Sequence, residues 1–283
     1  MESSRSPRHS LAILASTALA GVLILVGSPA TAADIPPAPA RAPVVVEQPY
    51  DIIIELGAGA QVRPDYPGAK NYEVWPTGFV TLHYLQLPGF GVVKNARTSE
   101  QGWSFGPSFN LQSERKASDY PELFGLNDVD MTFELGAKVG YTFDWVRPWV
   151  AVRYGLGGHS GIVGETGLDF IFRPTEVFRW SVGPRATFAN RDYMETYFGV
   201  TPAESALSGT LAAFSPGGGF KSVGAEFNAR YEFAPQWAVR GEFIYEKLIG
   251  DAADSPIVQV GDANQYTAKL GLTYTFAWKL FGN

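Results

Sequence analysis

Residues 130–144 read DMTFELGAKVGYTFD, and this stretch decides the fold. Its odd-numbered positions are apolar from Met131 to Phe143, whereas its even-numbered positions are polar, charged or glycine. Alternation with a period of two indicates a β-strand with one apolar and one polar face. The run exceeds the ~5–6 residues of a usual soluble strand and is closer to the ~9–11 residues of a tilted membrane-spanning strand. A long strand of a soluble β-sandwich is the alternative.

The same alternation recurs through the rest of the chain, which favours the membrane over the soluble alternative. Further runs occupy residues 51–62, 74–95, 103–112, 149–156, 168–173, 178–189, 222–233, 237–246 and 266–280. The connections at 145–147, 173–177 and 234–235 are short, whereas those at 113–129, 190–218 and 249–264 are long. Aromatic residues stand near both ends of the apolar faces, as membrane-interface girdles do. The sequence therefore predicts an all-β fold: a single transmembrane antiparallel β-barrel with short periplasmic turns and long extracellular loops.

The number of strands depends on two stretches. Splitting the run 74–95 at Pro88-Gly89 gives eleven strands, and a closed bacterial barrel with both chain ends on one side needs an even number. We expect about twelve strands, with the additional one inside 190–218, because 22 residues are too many for one crossing. Ten strands is the alternative, and it follows if 74–95 is a single kinked strand.

The N-terminus predicts export. Arg5 and Arg8 precede an apolar run from Leu11 to Val26, and the small residues 30–33 follow it. A basic head, an apolar middle and a small-residue end make a secretory signal peptide, predicted here over 1–33; a retained membrane anchor is the less favoured alternative. Residues 34–50 are proline-rich and predict an extended periplasmic tether. The barrel would then occupy 51–283, in the cell outer membrane and in contact with its lipid.

Composition excludes several classes of function. The 283 residues include no cysteine, which removes disulfides, thiol catalysis and thiolate metal sites. The net charge of −6 without a basic patch argues against a nucleic-acid partner. With 46% hydrophobic and 14% aromatic residues but only 18% charged residues, the chain suits a β-rich protein.

The charged residues on the polar faces are the candidate functional residues, because in a barrel they would point into the lumen. They mix both signs among glycines, serines and threonines, as the lining of a water-filled pore or an ion-paired, filled lumen would. We favour the filled lumen. The candidate lumen charges are Glu134, Lys138, Arg153, Arg185, Glu226, Arg230, Arg240 and Glu242. Asp169, Arg179, Glu246 and Lys269 share these faces.

The chain shows no strong catalytic or metal-binding motif, and we expect neither an enzyme nor a cofactor. His83 and His159 have no metal-ligand spacing between them. His159-Ser160 could be read as a hydrolase pair, but adjacent side chains seldom face each other. Asp251 and Asp254 could be read as carboxylate ligands, but an aspartate-rich loop that starts turns is the favoured interpretation.

Five short motifs occur in an order that resembles the MipA/OmpV family of outer-membrane proteins. They are Tyr66-Pro67-Gly68, residues 197–200 (YFGV), 214–219 (FSPGGG), 248–256 (LIGDAADSP) and 274–276 (YTF). The fourth motif contains Asp251, Asp254, Ser255 and Pro256. The resemblance covers about residues 50–276. The chain departs from the usual aromatic C-terminus of such barrels, since it continues past Phe276 to Asn283.

The resemblance implies a scaffold that links a lytic transglycosylase to a murein synthase, and other members are adhesion or solute-related proteins. Two hypotheses follow. In the first, the barrel is an anchor whose periplasmic side binds peptidoglycan-remodelling enzymes. In the second, the barrel is a porin-like small-solute channel with the mixed charges as its filter. A surface adhesin is a further alternative.

Overall fold

The computed structural model describes residues 50–87, 91–94 and 101–280. The predicted signal peptide 1–33 and the predicted tether 34–50, apart from Tyr50, lie outside the described residues, as do residues 281–283. Among the described residues, no helix has both the length and the hydropathy that crossing a membrane requires.

The described residues form one antiparallel sheet of ten long strands and one short strand, β3. The strands are β1 (Ile52–Pro64), β2 (Tyr72–Leu87), β3 (Gly91–Lys94), β4 (Gly102–Gln112), β5 (Thr132–Thr142), β6 (Val146–Gly157), β7 (Ile162–Phe172), β8 (Phe178–Ala189), β9 (Gly219–Ala234), β10 (Trp237–Leu248) and β11 (Asn264–Trp278). Each long strand has at least 11 residues, which is enough for a tilted strand to cross a bilayer.

The sheet curls into a nearly closed barrel because its first and last long strands pair. β1 and β11 match from Ile52 opposite Trp278 to Val62 opposite Ala268. The hydrogen-bonded order is β3-β2-β1-β11-β10-β9-β8-β7-β6-β5-β4, so the two free ends of the sheet are β3 and β4. The prediction of an antiparallel barrel is confirmed. β11 continues two residues beyond Phe276, so part of the C-terminal extension belongs to the last strand.

The expectation of twelve strands with one inside 190–218 is wrong, and the alternative of ten long strands is the observed number. Residues 190–218 contain two helices, α1 (Arg191–Phe198) and α2 (Pro202–Ser208). Asn190 accepts the Tyr193 N–H and caps α1, while Thr201 and Glu204 form a reciprocal capping box on α2. A capped start to each helix, with proline at the first position of α2, favours helix over strand.

The two faces of the barrel divide as the alternation predicts. Apolar side chains such as Leu135, Val152, Phe243 and Leu270 are exposed on the outward face. In a membrane they would contact lipid, because only there is a continuous exposed apolar belt favourable. Five of the seven tryptophans lie on this face, near the end of the barrel that carries the short turns; they are Trp103, Trp145, Trp180, Trp237 and Trp278. They match an interfacial aromatic girdle.

Much of the buried apolar core lies in the loops, not between the strands. The segments 65–71, 113–131, 190–218 and 249–263 pack together at the long-loop end, and we call them the cap. Two further helices, α3 (Asp251–Asp254) and α4 (Pro256–Gln259), belong to it. Two apolar clusters hold the cap, one around Tyr193, Met194 and Phe198 and one around Leu123 and Ile257. The cap therefore covers one mouth of the barrel.

Candidate functional site

Glu55 is the centre of a charge network at the short-turn half of the lumen. It is fully buried and receives Arg230 Nε at 2.9 Å, Arg240 Nη1 at 3.3 Å and His83 Nε2 at 3.1 Å. Arg240 also donates to Thr81 Oγ1 at 2.7 Å. In the order of the sheet β9 lies three strands from β1, beyond β11 and β10, so the Arg230–Glu55 pair crosses part of the lumen. Such a pair narrows the passage and ties two separate parts of the wall together.

A second network crosses four consecutive strands. Arg147 of β6 pairs with buried Asp169 of β7, which also receives Arg185 Nη2 of β8 at 2.5 Å. Arg185 Nε continues the network to Glu226 Oε2 of β9 at 2.9 Å. The guanidinium of Arg185 lies 5.0 Å from the ring centroid of Trp149, a distance at which a cation–π contact is favourable.

A third network joins the barrel wall to the cap. Arg153 donates to Glu134 Oε2 at 2.9 Å and to Glu165 Oε2 at 3.1 Å. Glu134 Oε1 also lies 3.4 Å from Nε2 of buried His159. The ring of His159 packs edge-on against Tyr193 of α1, with ring centroids 5.0 Å apart. Glu134 thus connects the lumen charges to the cap.

The eight candidate lumen charges all lie on the inward face, and they divide between two cavities. Glu134, Lys138, Arg153, Arg185, Glu226 and Glu242 line a chamber of about 370 Å³ beneath the cap. Arg230 and Arg240 line a smaller cavity of about 40 Å³ toward the short turns. The described lining of the chamber contains five acidic and six basic side chains. Its net charge is therefore close to zero and does not favour anions over cations.

Two partners of these charges were not singled out from sequence. Arg230 and Arg240 both bind the carboxylate of Glu55. The sequence indicated only that Glu55 lies on the polar face of β1. Trp149 lies on the inward face of β6, and Lys138 Nζ is 3.2 Å from its ring centroid. The sequence feature that could have predicted this contact is an aromatic residue on the polar face of one strand, next to a strand whose polar face carries charges.

The residues of the fourth motif hold cap segments together. Asp251 Oδ2 accepts the Gly217 N–H at 2.6 Å, which fixes the glycine-rich segment of the third motif. Ser255 is fully buried, donates to the Phe198 carbonyl at 2.7 Å and accepts the Ile257 N–H at 3.2 Å. Asp254 and Pro256 end α3 and begin α4. In the described part of the chain, no group of three or more His, Asp or Glu side chains is arranged to hold a metal ion.

The first motif is also a cap contact. Tyr66 is buried, and Gly68 has a φ of +92°, a conformation that glycine adopts at no steric cost. The Gly68 N–H donates to Gln265 Oε1 at 3.1 Å, and its carbonyl accepts the Asp262 N–H at 2.9 Å. A Cβ at Gly68 would lie 2.6 Å from a methyl carbon of Val258, so the close docking on α4 needs glycine. The four loop motifs therefore all belong to one structural unit.

Burial raises the pKa of two groups in the cap. Desolvation and the nearby negative charges of Glu73 and Glu122 raise the pKa of Asp65 to about 6. Desolvation also raises the pKa of Tyr197 to about 12. His159, in the connection between β6 and β7, is buried against the cap whereas Ser160 is exposed, so the adjacent pair is not assembled as a nucleophile and its base. These features describe a packed structural unit.

The fold and the distribution of charge define the class of protein: an outer-membrane β-barrel with an apolar outer face, a charged lumen and a structured cap. The chain belongs to the MipA family, whose model, described as MltA-interacting protein MipA, matches residues 56–276. The resemblance seen in the five motifs is thereby confirmed. A comparison with curated protein sequences finds no match.

Solved structures of outer-membrane proteins resemble the chain at low sequence identity. An outer membrane channel from Pseudomonas putida F1 has 12% identity and a TM-score of 0.42, with 86% of this chain and 100% of that chain covered. The outer membrane protein OprG from Pseudomonas aeruginosa has 10% identity and a TM-score of 0.30, with 81% and 97% covered. The NanC porin has 8% identity and a TM-score of 0.33, with 81% and 100% covered.

Proposed function

We propose that this chain is a non-catalytic outer-membrane anchor with a closed lumen, to which peptidoglycan-remodelling enzymes bind on the periplasmic side. The observation that carries the proposal is the double obstruction of the lumen. The cap covers the long-loop mouth, and the Glu55 network spans the short-turn half. A barrel obstructed at two levels suits attachment better than free diffusion.

The family description supports one class of partner. It names an MltA-interacting protein, and MltA is a lytic transglycosylase, an enzyme that cleaves peptidoglycan. A murein synthase is the second partner that the family resemblance implies. The periplasmic surface available for such partners consists of the short turns 143–145, 173–177 and 235–236 and the predicted tether 34–50.

Direct binding tests the anchor. The mature barrel in detergent, with its heat-modifiable gel migration as the folding control, is titrated with a purified MltA-type lytic transglycosylase. We expect saturable binding that weakens when the tether 34–50 is removed or the turn 173–177 is exchanged for a glycine-serine linker. A matched exchange of cap residues 209–213 should leave binding unchanged. Absence of binding by the folded barrel, or loss only on the cap exchange, would contradict the proposal.

A small-solute channel is the second candidate, and the chamber of about 370 Å³ favours it. Both signs of charge line the chamber, so a zwitterionic solute would find partners for each of its groups. Planar-bilayer conductance tests this function. Discrete steps that change in Arg185→Glu or Arg240→Glu would support a channel, and silence from a folded barrel would exclude an open one.

A further inference from the structure

Three arginines lie side by side on the inner face of the barrel, in the short-turn half of the lumen. Arg230 of β9 is directly opposite Arg179 of β8 on one side and directly opposite Arg240 of β10 on the other. Like charges that are directly opposite each other on one face of a sheet are destabilising. A row of three such charges is therefore favourable only where anionic groups lie close to it.

Carboxylates of the chain bind this row, and the arginines keep donors for a further anion. Arg230 donates from Nε to Glu55 and from Nη1 to Glu232, and Arg240 also donates to Glu55. Arg179 and Arg240 have other contacts as well. A guanidinium has five N–H donors, so it can bind several acceptors at once, as Arg230 does. The Nη2 of Arg230 has no hydrogen-bond partner among the residues that the structure describes.

The cavity of about 40 Å³ lies against this row, and we call it the arginine pocket. Arg179, Arg230 and Arg240 line it together with Arg147 of β6, which is bound to Asp169. Its described lining comes from β6 to β10, five consecutive strands joined by hydrogen-bonded ladders. No acidic side chain is among these lining residues. The carboxylates bound to the four arginines therefore lie outside the pocket, and a group inside it meets only the guanidiniums as charged neighbours.

Two neutral polar side chains complete the lining of the arginine pocket. Ser181 of β8 is directly opposite Asn228 of β9, and both lie two residues along their strands from the arginine row. Ser181 is half-buried and makes no side-chain hydrogen bond within the described part of the chain. Its hydroxyl can therefore donate to a group in the pocket. The amide of Asn228 donates to Glu226 and is held in place by that bond.

The existing contacts of the arginines fix their positions around the pocket. The guanidinium of Arg240 lies 5.4 Å from the ring centroid of Phe79 and donates to Thr81 Oγ1 at 2.7 Å. Arg147 is buried and bound through two of its nitrogens to Asp169. Side chains that are already held in one conformation lose little further entropy when a ligand binds. The partners of the arginines thus preorganise the pocket.

We propose that the arginine pocket binds a tetrahedral oxyanion group, namely a phosphate, either as the free ion or as part of a small solute. Guanidiniums form charge-assisted, often bidentate hydrogen bonds with phosphate oxygens. Here they come from three separate parts of the wall, β6, β8–β9 and β10, which suits a group whose oxygens point in several directions. The site does not depend on the anchor function.

The size and the charge of the pocket both fit one phosphate. One water needs about 10–15 Å³, so a pocket of about 40 Å³ has the room of about three waters, roughly that of one phosphate group. The lining of the larger chamber carries both signs of charge, whereas the charged side chains that line the pocket are all basic. An anion should therefore prefer the pocket to the chamber.

Calorimetric titration with inorganic phosphate tests the arginine pocket. The full-length mature barrel in a non-ionic detergent is titrated at constant ionic strength, with chloride as the background anion, because salt screens exposed charges. Heat-modifiable gel migration is the folding control. We expect a single class of saturable phosphate site. A folded barrel that shows no saturable binding would overturn the proposal.

Ser181→Asp places a carboxylate inside the pocket and should weaken phosphate binding at least about tenfold, because the two anions would then be adjacent. Thr187→Asp is the matched control. Thr187 lies on the same strand and is also half-buried, but it lines the chamber and not the pocket. Both substitutions add one negative charge to the lumen. Equal weakening by the two would overturn the location of the site.

Arg179→Gln tests the guanidiniums themselves, since it removes one of them and keeps both arginines that bind Glu55. We expect the affinity for phosphate to fall about tenfold. Arg153→Gln, which removes an arginine of the chamber instead, should leave it unchanged. Unchanged affinity in folded Arg179→Gln would overturn the assignment of these arginines as phosphate donors.

Glycerol phosphate distinguishes the two sources of the group. Binding as tight as that of inorganic phosphate, and equally sensitive to Ser181→Asp, would support the phosphate of a small solute as the ligand. Binding of inorganic phosphate alone would support the free ion. Binding of glycerol phosphate that is insensitive to both Ser181→Asp and Arg179→Gln would overturn the assignment of phosphate groups to this pocket.

Discussion

Glu55 holds the short-turn half of the lumen together, and its removal should be costly. Glu55→Gln would leave Arg230, Arg240 and His83 buried around a neutral amide. Breaking a buried ion pair from one side costs about 3–5 kcal/mol because a buried charge loses one of its partners. We expect the free energy of unfolding in lipid to fall by about 3 kcal/mol, as measured by urea titration of gel migration.

Glu232→Gln is the matched control for Glu55. Glu232 pairs with the same Arg230 at 3.0 Å, but its side chain is 36% exposed. Partly exposed pairs contribute about 0–1 kcal/mol, so this change should have little effect. If both substitutions cost the same, the burial of Glu55 would not be the source of its contribution.

Asp65 makes the cap sensitive to pH. Its pKa is raised from 3.8 to about 6, so between these values the folded state holds a proton that the unfolded state has lost. The contribution of Asp65 to the free energy of unfolding therefore falls as the pH rises between these two pKa values, and it is constant at higher pH. Asp65→Asn should remove the slope, protecting the cap at pH 7 and changing little near pH 4. Hydrogen exchange of the backbone amides of residues 65–71, followed as a function of pH, tests this prediction. The same pH dependence in Asp65→Asn as in the unchanged protein would contradict it.

At the scale of residues, sequence predicts the face of a side chain but not its partner. The period of two placed Arg230 and Arg240 inward. It could not show that both meet Glu55, which is 175 and 185 residues away, because that depends on how far the sheet curls. Trp149 was likewise assigned to the polar face without its cation partners.

Ser255 links α4 to α1, because its hydroxyl accepts the Ile257 N–H at the start of α4 and donates to the Phe198 carbonyl at the end of α1. Ser255→Ala removes the cap of α4 and leaves the buried Phe198 carbonyl without its donor. Loss of a helix cap costs about 1 kcal/mol, and an unsatisfied buried carbonyl costs about 1–3 kcal/mol more. We expect faster proteolysis of the segments 190–218 and 249–263, with the barrel strands unaffected.

Ser215→Ala provides the comparison for Ser255. Its hydroxyl contacts Arg191 and Glu195 in exposed hydrogen bonds at 3.3 and 3.4 Å. Water can replace these bonds, so proteolysis of the cap should be unchanged. Equal acceleration by both substitutions would mean that the cap is not held by the buried Ser255 bonds.

At the scale of elements, the strands were predictable and the cap was not. Long amphipathic strands carry their own signal because every second residue must be apolar where lipid surrounds the barrel. β7 was predicted too short because Gly164 and Thr166 interrupt its apolar face. In 190–218 the capping box from Thr201 to Glu204 was present in the sequence, but the even-strand rule was given more weight.

At the scale of the molecule, different parts of the chain form the apolar surface that contacts lipid and the buried apolar core. The strands expose apolar side chains to lipid and bury charges, so they supply little apolar core of their own. The cap supplies that core, and four of the five family motifs lie in it. In this chain, those four motifs thus help to close the long-loop mouth.

Removing part of the cap should separate its contribution to closure from that of the lumen charges. Exchange of residues 191–208 for a short glycine-serine linker removes α1 and α2, including Tyr193, Met194 and Phe198. The chamber would open to solvent, so Thr187→Cys on its wall should react faster with a water-soluble maleimide than in the intact protein.

Conductance of the same variant should stay far below that of an open pore, because the Glu55 network still spans the short-turn half. Adding Glu55→Ala, Arg230→Ala and Arg240→Ala together, which removes Glu55 and both arginines that bind it, should then produce measurable channel steps. Steps from the cap exchange alone would show that the cap is the only barrier. Silence of the combined variant, with normal gel migration, would place the obstruction elsewhere, in the Arg147–Asp169–Arg185 network.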